Sequence, residues 1–254
     1  MKEVFRNTVE FTVHGKYALF SDPILRMGGE RASYPVPTYQ ALKGVMESVY
    51  WKPSILFYID AVRVMNPIQT EGKSIRPISY TGKTNTLSIY TYLVNPVYQV
   101  RAHFVPNPYR TEPDLIEDGL KEHKHHNIAR RMIEKGGRRD IFLGTRECQA
   151  YVEPCIYGEG HGYYDDRNEI DFGVMFHSFA YPDETGKDEL GIRLWHAKMT
   201  HGEIIFPKPE EINPDLYRFI RPMERKKFGG KYNNFIGLKE PSLVEELAEE
   251  GEIE

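Results

Sequence analysis

Apolar and polar residues alternate along much of the N-terminal part of the chain, as they do in strands with one buried face. This alternation predicts a first strand within residues 4–20. Strongly β-forming runs predict three more strands, over residues 54–65, 87–92 and 98–104. A polar stretch rich in Lys, Gly and Arg, residues 69–86, lies among them. We interpret this stretch as an extended β-hairpin whose tip projects from a sheet.

Two segments have the apolar spacing of a helix instead. After Thr38, a helix of about 12 residues is expected, because apolar residues recur every three to four positions and Pro53 must end the run. Tyr50 would lie at the C-terminal rim of this helix. A second helix is expected to begin at Asn127, a favoured N-cap residue, and to end at Gly136, a residue type favoured just after a helix.

The order of these elements indicates the fold class. With a strand expected from residue 140 to about residue 152, the chain follows the order β-α-β-β-α-β. This is the α+β, ferredoxin-like arrangement, in which two helices pack on one face of a four-stranded sheet. The end of the first helix and the start of the second can then approach each other, which would bring Tyr50 towards Lys124 and His125.

The composition changes after Pro154, where glycine-rich turns separate short strand-like runs. We therefore predict three parts. Residues 1–156 form the ferredoxin-like domain, residues 157–222 a small antiparallel β domain, and residues 223–254 a linker with an acidic tail.

Charge and composition narrow the function classes. The net charge is −4, but residues 1–140 carry 20 basic against 14 acidic side chains, and residues 141–254 carry 13 against 23. A basic face on the first part is compatible with a polyanionic ligand. No apolar run approaches the roughly 18 residues of a membrane span, and the N-terminus lacks the apolar core of a signal peptide. We expect a cytoplasmic protein that does not bind membranes, with Cys148 and Cys155 as free thiols.

The candidate chemistry centres on residues 124–139. A histidine can transfer protons in either direction near neutral pH, and a lysine can neutralise a phosphorane, so Lys124, His125 and Tyr50 suit metal-independent RNA cleavage. Further residues could contact the RNA backbone, although each could equally be ordinary solvated surface. These RNA-binding candidates are Gly136, Gly137, Arg138, Arg139, Arg26, Arg31 and Lys43. The carboxylates at residues 165–171 fit a metal site less well, because clustered turn carboxylates are usually just solvated.

Several long motifs carry a family resemblance. The blocks are TYQALKGVMESVYWKP (38–53), GGRRDIFLGTRECQAYV (136–152), GKYALFSDP (15–23), YPDETG (181–186) and RLW (193–195). They closely resemble the CRISPR-associated family-five proteins of subtype I-C, the d-type, also called c-type. The similarity extends from residue 1 to about residue 222.

The resemblance implies a ferredoxin-like, RRM-like fold of the repeat-associated mysterious protein superfamily. It also implies an endoribonuclease that needs no metal or other cofactor and cuts precursor CRISPR RNA at the base of the repeat hairpin. The products would carry a 2′,3′-cyclic phosphate and a 5′-hydroxyl. The protein would then stay on the 5′ handle as a subunit of the type I-C interference complex, Cascade, beside its other subunits.

By the same resemblance, the family's catalytic tyrosine corresponds to Tyr50 and its Lys-His pair to Lys124 and His125, chosen over His126 by spacing. The glycine-rich loop corresponds to residues 136–139. Two alternatives remain open. Many relatives of this fold are non-cleaving subunits that only clamp the RNA end. A metal-dependent cleavage of double-stranded DNA, attributed to some family members, is a weaker third possibility.

Overall fold

The computed structural model describes residues 7–22, 30–76 and 87–226. Arg26, the tip of the expected hairpin and the acidic tail lie outside these residues. The strands are β1 (Thr8–Gly15), β2 (Tyr17–Ala18), β3 (Arg31–Ala32), β4 (Ile55–Val64), β5 (Thr70–Ile75), β6 (Ser88–Val94), β7 (Val97–Pro106), β8 (Ile141–Phe142), β9 (Gln149–Pro154), β10 (Glu169–Ala180), β11 (Glu189–Thr200), β12 (Glu203–Ile205) and β13 (Tyr217–Pro222). The helices are α1 (Tyr39–Val49), α2 (Pro113–Gly119), α3 (Glu122–Glu134) and α4 (Pro182–Thr185), with a 3-10 turn at Pro214–Leu216.

Nine of the described strands form one sheet in the order β10-β11-β12-β4-β7-β1-β9-β8, with β13 paired to β11. The pairings in the middle of this sheet, β4 with β7, β7 with β1 and β1 with β9, are all antiparallel. The strands expected over residues 54–65 and 98–104 are therefore confirmed as β4 and β7. Their apolar side chains form the core together with those of α1 and α3.

Helix α1 is confirmed where the sequence predicts it. The Thr38 side chain caps its start by accepting a hydrogen bond from the Ala41 backbone N–H at 3.2 Å. Tyr39, Leu42 and Met46 are almost fully buried against the sheet, and burying a side chain of this size contributes about 1.5–3 kcal/mol. The helix ends at Tyr50, because this residue has an extended backbone while its N–H still bonds the Met46 carbonyl.

The second predicted helix ends where the sequence indicates, but its predicted start is wrong. Helix α3 begins at Glu122, five residues before Asn127, and a backbone bond from His125 N–H to the Lys121 carbonyl (3.2 Å) closes its first turn. Asn127 is therefore an interior residue. Gly136 ends the helix at a φ of +79°, and the N–H groups of Gly136 and Gly137 bond back to the Ile133 and Met132 carbonyls. These two bonds form a Schellman motif, which requires the left-handed backbone that glycine adopts freely.

Two further expectations need correction. The single strand expected over residues 140–152 is a short antiparallel pair, β8 and β9, closed by a bond from Leu143 N–H to the Cys148 carbonyl. No element is expected between the strand at residues 98–104 and the second helix, but this interval contains helix α2, whose first position is occupied by Pro113.

Strands β5 and β6 form the described part of the predicted hairpin and pair in antiparallel register over six residues. They belong to a separate four-stranded sheet with β2 and β3. The C-terminal strands do not form a sheet of their own, because β12 pairs with β4 and joins them to the nine-stranded sheet. Independent folding of residues 157–222 stays a prediction. None of the described helices has the length and apolar character needed to cross a membrane.

Candidate active site

The sequence-predicted residues Tyr50 and His125 meet in the interior of the protein. The Tyr50 hydroxyl lies 2.8 Å from His125 Nδ1, although the two residues are 75 positions apart in the chain. Tyr50 comes to this point because it follows the last residue of α1, and His125 because it lies in the first turn of α3. The Tyr50 side chain is 2% exposed and that of His125 is fully buried.

The hydrogen bonds of His125 define its tautomer. Its Nε2 lies 2.8 Å from the backbone carbonyl of Asp118, and a carbonyl oxygen can only accept. The proton of the neutral ring is therefore on Nε2, which leaves Nδ1 as an acceptor for the Tyr50 O–H. In this state the histidine can take a proton only through Nδ1, on the side of the tyrosine.

The surroundings keep this pair neutral. Burial lowers the pKa of His125 below its ordinary value, and the charges of Lys124 and Lys52 lower it further. The contacts with Asp118 oppose this shift without reversing it. Burial also raises the pKa of Tyr50 to about 12. At neutral pH the tyrosine is therefore a hydroxyl donor and the histidine an uncharged base.

Asp118 connects the remaining polar groups of the site. Its carboxylate accepts a hydrogen bond from Ser54 Oγ at 2.7 Å and pairs with Lys124 Nζ at 2.5 Å. Burial alone would raise the pKa of Asp118, but the bonds from Lys124 and Ser54 hold it below its ordinary value. Asp118 is 3% exposed, whereas the Lys124 side chain is 48% exposed. The ammonium group thus lies at the surface of an otherwise buried cluster.

The glycine-rich loop, residues 136–139, lies beside the same cluster. The Arg139 backbone N–H bonds the Ser48 carbonyl in the last turn of α1 at 3.1 Å, which fixes the loop close to Tyr50. The positive charge of Arg138 acts on the Tyr50 hydroxyl by lowering its pKa. Both arginine side chains are exposed, so their guanidinium groups are accessible to an anion near the buried pair.

Other predicted RNA-binding residues lie elsewhere. Arg31 belongs to β3 in the smaller sheet, where its guanidinium lies over the Tyr90 ring at 5.1 Å. Lys43 is 4% exposed and forms an ion pair with Glu184 at 2.5 Å, which ties α1 to the C-terminal part of the chain. The structure therefore does not bring Lys43 to a surface where it could meet RNA. Arg26 lies outside the described residues.

Sequence reasoning missed Ser54, Asp118 and Lys52. Asp118 lies in the polar segment before α3, where it looks like one of many solvated acids. Its hydrogen bonds with Lys124, Ser54 and His125 distinguish it, and these depend on the packing of α2. The fit of α2 is close, because a Cβ atom added at Gly119 would lie 2.6 Å from the Ser54 carbonyl oxygen.

Within residues 7–22, 30–76 and 87–226, no group of three or more His, Cys, Asp or Glu side chains is arranged to hold a metal ion. In the acidic segment 165–171, Asp165 is instead paired with Arg63 at 2.6 Å.

A hydroxyl donor beside an uncharged base can transfer protons, and the exposed cationic side chains next to them can attract an anion. A family model described as CRISPR-associated protein (Cas_Cas5) matches residues 8–207. This match covers most of the chain, and the protein belongs to that family of CRISPR-associated proteins. The family resemblance of the sequence motifs is thereby confirmed.

Curated relatives carry a more specific name. The chain is 26% identical, over 234 residues, to a protein of Thermus thermophilus named CRISPR pre-crRNA endoribonuclease Cas5d; the match covers 81% of this chain and 93% of that protein. A protein of Mannheimia succiniciproducens with the same name is 37% identical over 65 residues, which cover 26% of this chain and 28% of the relative.

Solved structures share the fold. One, described as a CRISPR-associated protein, is 36% identical with a TM-score of 0.65, and the match covers 81% of this chain and 94% of that structure's chain. A functionally uncharacterized protein from Streptococcus mutans is 38% identical with a TM-score of 0.66, covering 81% and 95%. The mixed α+β architecture of this chain is therefore that of known structures.

Proposed function

We propose that this protein is an endoribonuclease that cuts precursor CRISPR RNA within the repeat and needs no metal ion. The observation that carries the proposal is the 2.8 Å contact between Tyr50 and His125, with Lys124 next to it. The ends of two separate helices bring these residues together, and the family resemblance implies that they are its catalytic residues. The activity named for the Thermus thermophilus relative supports the same conclusion.

The proposed reaction uses the neighbouring 2′-hydroxyl of the RNA as nucleophile. As its oxygen bonds to phosphorus, its proton passes to the Tyr50 oxygen while the tyrosine proton passes to His125 Nδ1. This relay avoids a free tyrosinate, which the raised pKa of Tyr50 disfavours at neutral pH. The bond from phosphorus to the 5′ oxygen breaks, which leaves a 2′,3′-cyclic phosphate and, after protonation, a 5′-hydroxyl.

Lys124 and Asp118 have complementary roles in this proposal. The Lys124 ammonium would stabilise the phosphorane oxygens and provide a proton for the leaving 5′ oxygen once a phosphate replaces Asp118 as its partner. Asp118 would act as a positioning residue, because its carbonyl fixes the tautomer of His125 and its carboxylate holds Lys124 nearby. Exposed Arg138 and Arg139 would bind the flanking phosphates.

We also propose that the core of the fold is ferredoxin-like. The neighbour order β4-β7-β1-β9 supports this. In chain order these are the second, third, first and fourth strands of the β-α-β-β-α-β core, and neighbouring strands are antiparallel. The contact of α1 and α3 with each other and with the sheet supports it as well.

A second candidate function is a non-cleaving subunit that clamps the RNA end within a type I-C interference complex. The burial of Tyr50 and His125 favours it, since an RNA cannot reach either side chain in the arrangement described here. Under the endoribonuclease proposal, RNA binding must expose the Tyr50 hydroxyl while the Asp118 carbonyl stays bonded to His125.

The deciding experiment is incubation of the purified protein with labelled CRISPR repeat RNA from the source genome in the presence of EDTA. A copy with a single 2′-deoxy nucleotide at the cut site is tested beside it. We expect one cut in the RNA and none in the deoxy copy. Tight binding without cleavage under any condition would establish the clamping subunit instead.

Variants connect this cleavage to the proposed residues. We expect His125→Ala and Tyr50→Phe to lose most cleavage and to retain repeat-RNA affinity, because neither of these neutral side chains neutralises a phosphate charge. His126→Ala is the matched control, since this adjacent histidine points to the Thr8 carbonyl instead, and it should cleave normally. Parallel loss of binding and cleavage in His125→Ala would make His125 a contact residue.

A further inference from the structure

We propose that a groove beside the candidate active site binds an unpaired nucleobase of the RNA substrate. The groove has a volume of about 590 Å³ and lies between α1, the turn after β8 and the β10–β11 hairpin. Its lining is mostly apolar and includes Gln40, Gly44, Ser48, Phe142, Phe176 and Phe179. This inference rests on the proposed function, because it identifies part of the substrate that the endoribonuclease would hold.

Gly44 indicates that the groove is kept open. It lies in the middle of α1. Glycine is less favourable than alanine in a helix, because its backbone loses more conformational entropy on folding. A Cβ atom added there would meet no atom within 4 Å. Neither a left-handed backbone nor close packing within the described residues therefore requires glycine at this position. What a larger side chain would fill is the groove itself.

The aromatic side chains of the groove suit a planar ligand. Phe142 comes from β8, and Phe176 and Phe179 come from β10. All three are only partly buried, and the rings of Phe176 and Phe179 meet edge to face, with centroids 5.0 Å apart. Partly exposed rings in a concave site provide faces on which a splayed-out base can stack.

Polar groups among these rings can recognise the edge of a base. The Gln40 side-chain oxygen accepts a hydrogen bond from the Phe179 backbone N–H at 3.1 Å. This bond orients the amide, whose NH2 group carries two hydrogen-bond donors. A few fixed polar groups in an otherwise apolar cleft are typical of sites for small planar molecules.

Position and charge favour RNA over an apolar peptide. Ser48 lines the groove, and its carbonyl accepts the hydrogen bond from Arg139 that fixes the glycine-rich loop. Tyr50 follows two residues later. The loop that carries exposed Arg138 and Arg139 is therefore close both to the groove and to Tyr50, so these side chains could contact the backbone phosphate that joins the bound nucleotide to the cut site.

The test combines two protein variants with abasic RNA. Gly44→Leu places a side chain in the groove, and Gly44→Ala is the matched control, because its methyl group leaves most of the volume open. Each unpaired repeat nucleotide is replaced in turn by an abasic one, and the affinity of every combination is measured. Thermal unfolding of both variants checks that they fold; both should, since each replaces glycine by a better helix former.

We expect one abasic position to weaken binding by about 10-fold or more with the parent and Gly44→Ala, as loss of a stacked base does. Gly44→Leu should weaken binding of the intact RNA similarly and be insensitive to that position. Such non-additivity identifies the base that occupies the groove.

Three outcomes would overturn the inference, and they are distinguishable. If Gly44→Leu binds every RNA as the parent does, the groove holds no base, whereas the endoribonuclease proposal stands on its own cleavage test. If the parent binds no repeat RNA, both proposals are wrong. Unchanged RNA binding with impaired assembly of Gly44→Leu into the interference complex would assign the groove to a protein partner instead.

Discussion

A histidine with both ring nitrogens bonded can act on a substrate only through one of its partners. In this protein the partners of His125 are the Asp118 carbonyl and the Tyr50 hydroxyl. The carbonyl cannot transfer a proton, but the hydroxyl can. The proposed relay through Tyr50 follows from this asymmetry, and it explains how a fully buried histidine could still serve as the base.

The pH dependence of cleavage tests this arrangement. His125 must be neutral to accept a proton, and its pKa lies below the ordinary value of 6.5. We therefore expect the single-turnover cleavage rate to fall only at pH values below 6.5, when the ring becomes protonated. A rate that already falls from pH 7.5 to pH 6.5 would contradict a buried, neutral base.

Asp118→Asn extends the test to the positioning residue. The Asp118 carboxylate raises the pKa of His125, so its removal should move the acid limb of the rate profile to still lower pH. We also expect slower cleavage, because Lys124 loses the partner that holds it near the site. A variant with a slower rate and an unmoved acid limb would indicate only a structural role for Asp118.

Among individual residues, the sequence identifies the candidate catalytic side chains and misses those that only position them. Tyr50, Lys124 and His125 stand within long motifs, whereas Ser54 and Asp118 have no pattern of their own. The structure brings the last two together because α2 packs closely on the Ser54 backbone. Such packing depends on contacts between distant segments, which no local pattern encodes.

Helix ends were predictable where a local motif determines them. The first helix begins after Thr38 and the second ends at Gly136, as expected, since a side-chain cap and a left-handed glycine are properties of a few neighbouring residues. The start of α3 was not predictable, because Lys121 makes no side-chain capping bond. Asn127, the better cap by type, lies inside the helix, where tertiary packing overrides its preference.

The glycine-rich loop that follows α3 can be tested for phosphate binding. Exposed Arg138 should contact a phosphate, and binding should then release a counterion. We expect Arg138→Ala to weaken repeat-RNA binding and to reduce the slope of log affinity against log salt by roughly one. Affinity measured at several salt concentrations tests this, and Arg130→Ala, an exposed arginine on α3, is the control for charge alone. An unchanged slope would exclude Arg138 from the phosphate contacts.

Across the whole molecule, packing extends over the boundary expected at residue 156. His177, in β10, is fully buried and stacks on Tyr39 of α1 with ring centroids 4.3 Å apart. Its Nε2 lies 3.2 Å from the Pro207 carbonyl. No pattern in the sequence singles out His177, because its partners come from segments far away in the chain.

His177 should make stability sensitive to acid. Burial lowers its pKa to about 3 from an ordinary value of 6.5, so the unfolded chain binds a proton more readily than the folded protein. The stabilisation is complete above pH 6.5 and is lost as pH falls towards 3. It amounts to roughly 5 kcal/mol over that range. Urea unfolding between pH 4.5 and pH 8 should therefore give a free energy of unfolding that decreases towards acid.

His177→Gln separates this effect from the titration of carboxylates, since glutamine cannot be protonated. We expect this variant to be less stable at pH 8 and to show a shallower loss of stability towards pH 4.5 than the parent. If the two curves run parallel, His177 does not cause the acid sensitivity.

The pairing of β4 with β7 has a consequence for how this protein can vary. Chain segment 66–96 leaves the end of β4 and returns beside it, because Val64 is in register with Tyr98 and Met65 N–H bonds the Val97 carbonyl. The site at Tyr50 and His125 is built from other segments. Insertions in the connection between β5 and β6 can therefore change its length at small entropic cost. Evolution can then alter what this hairpin contacts while the candidate active site is inherited intact.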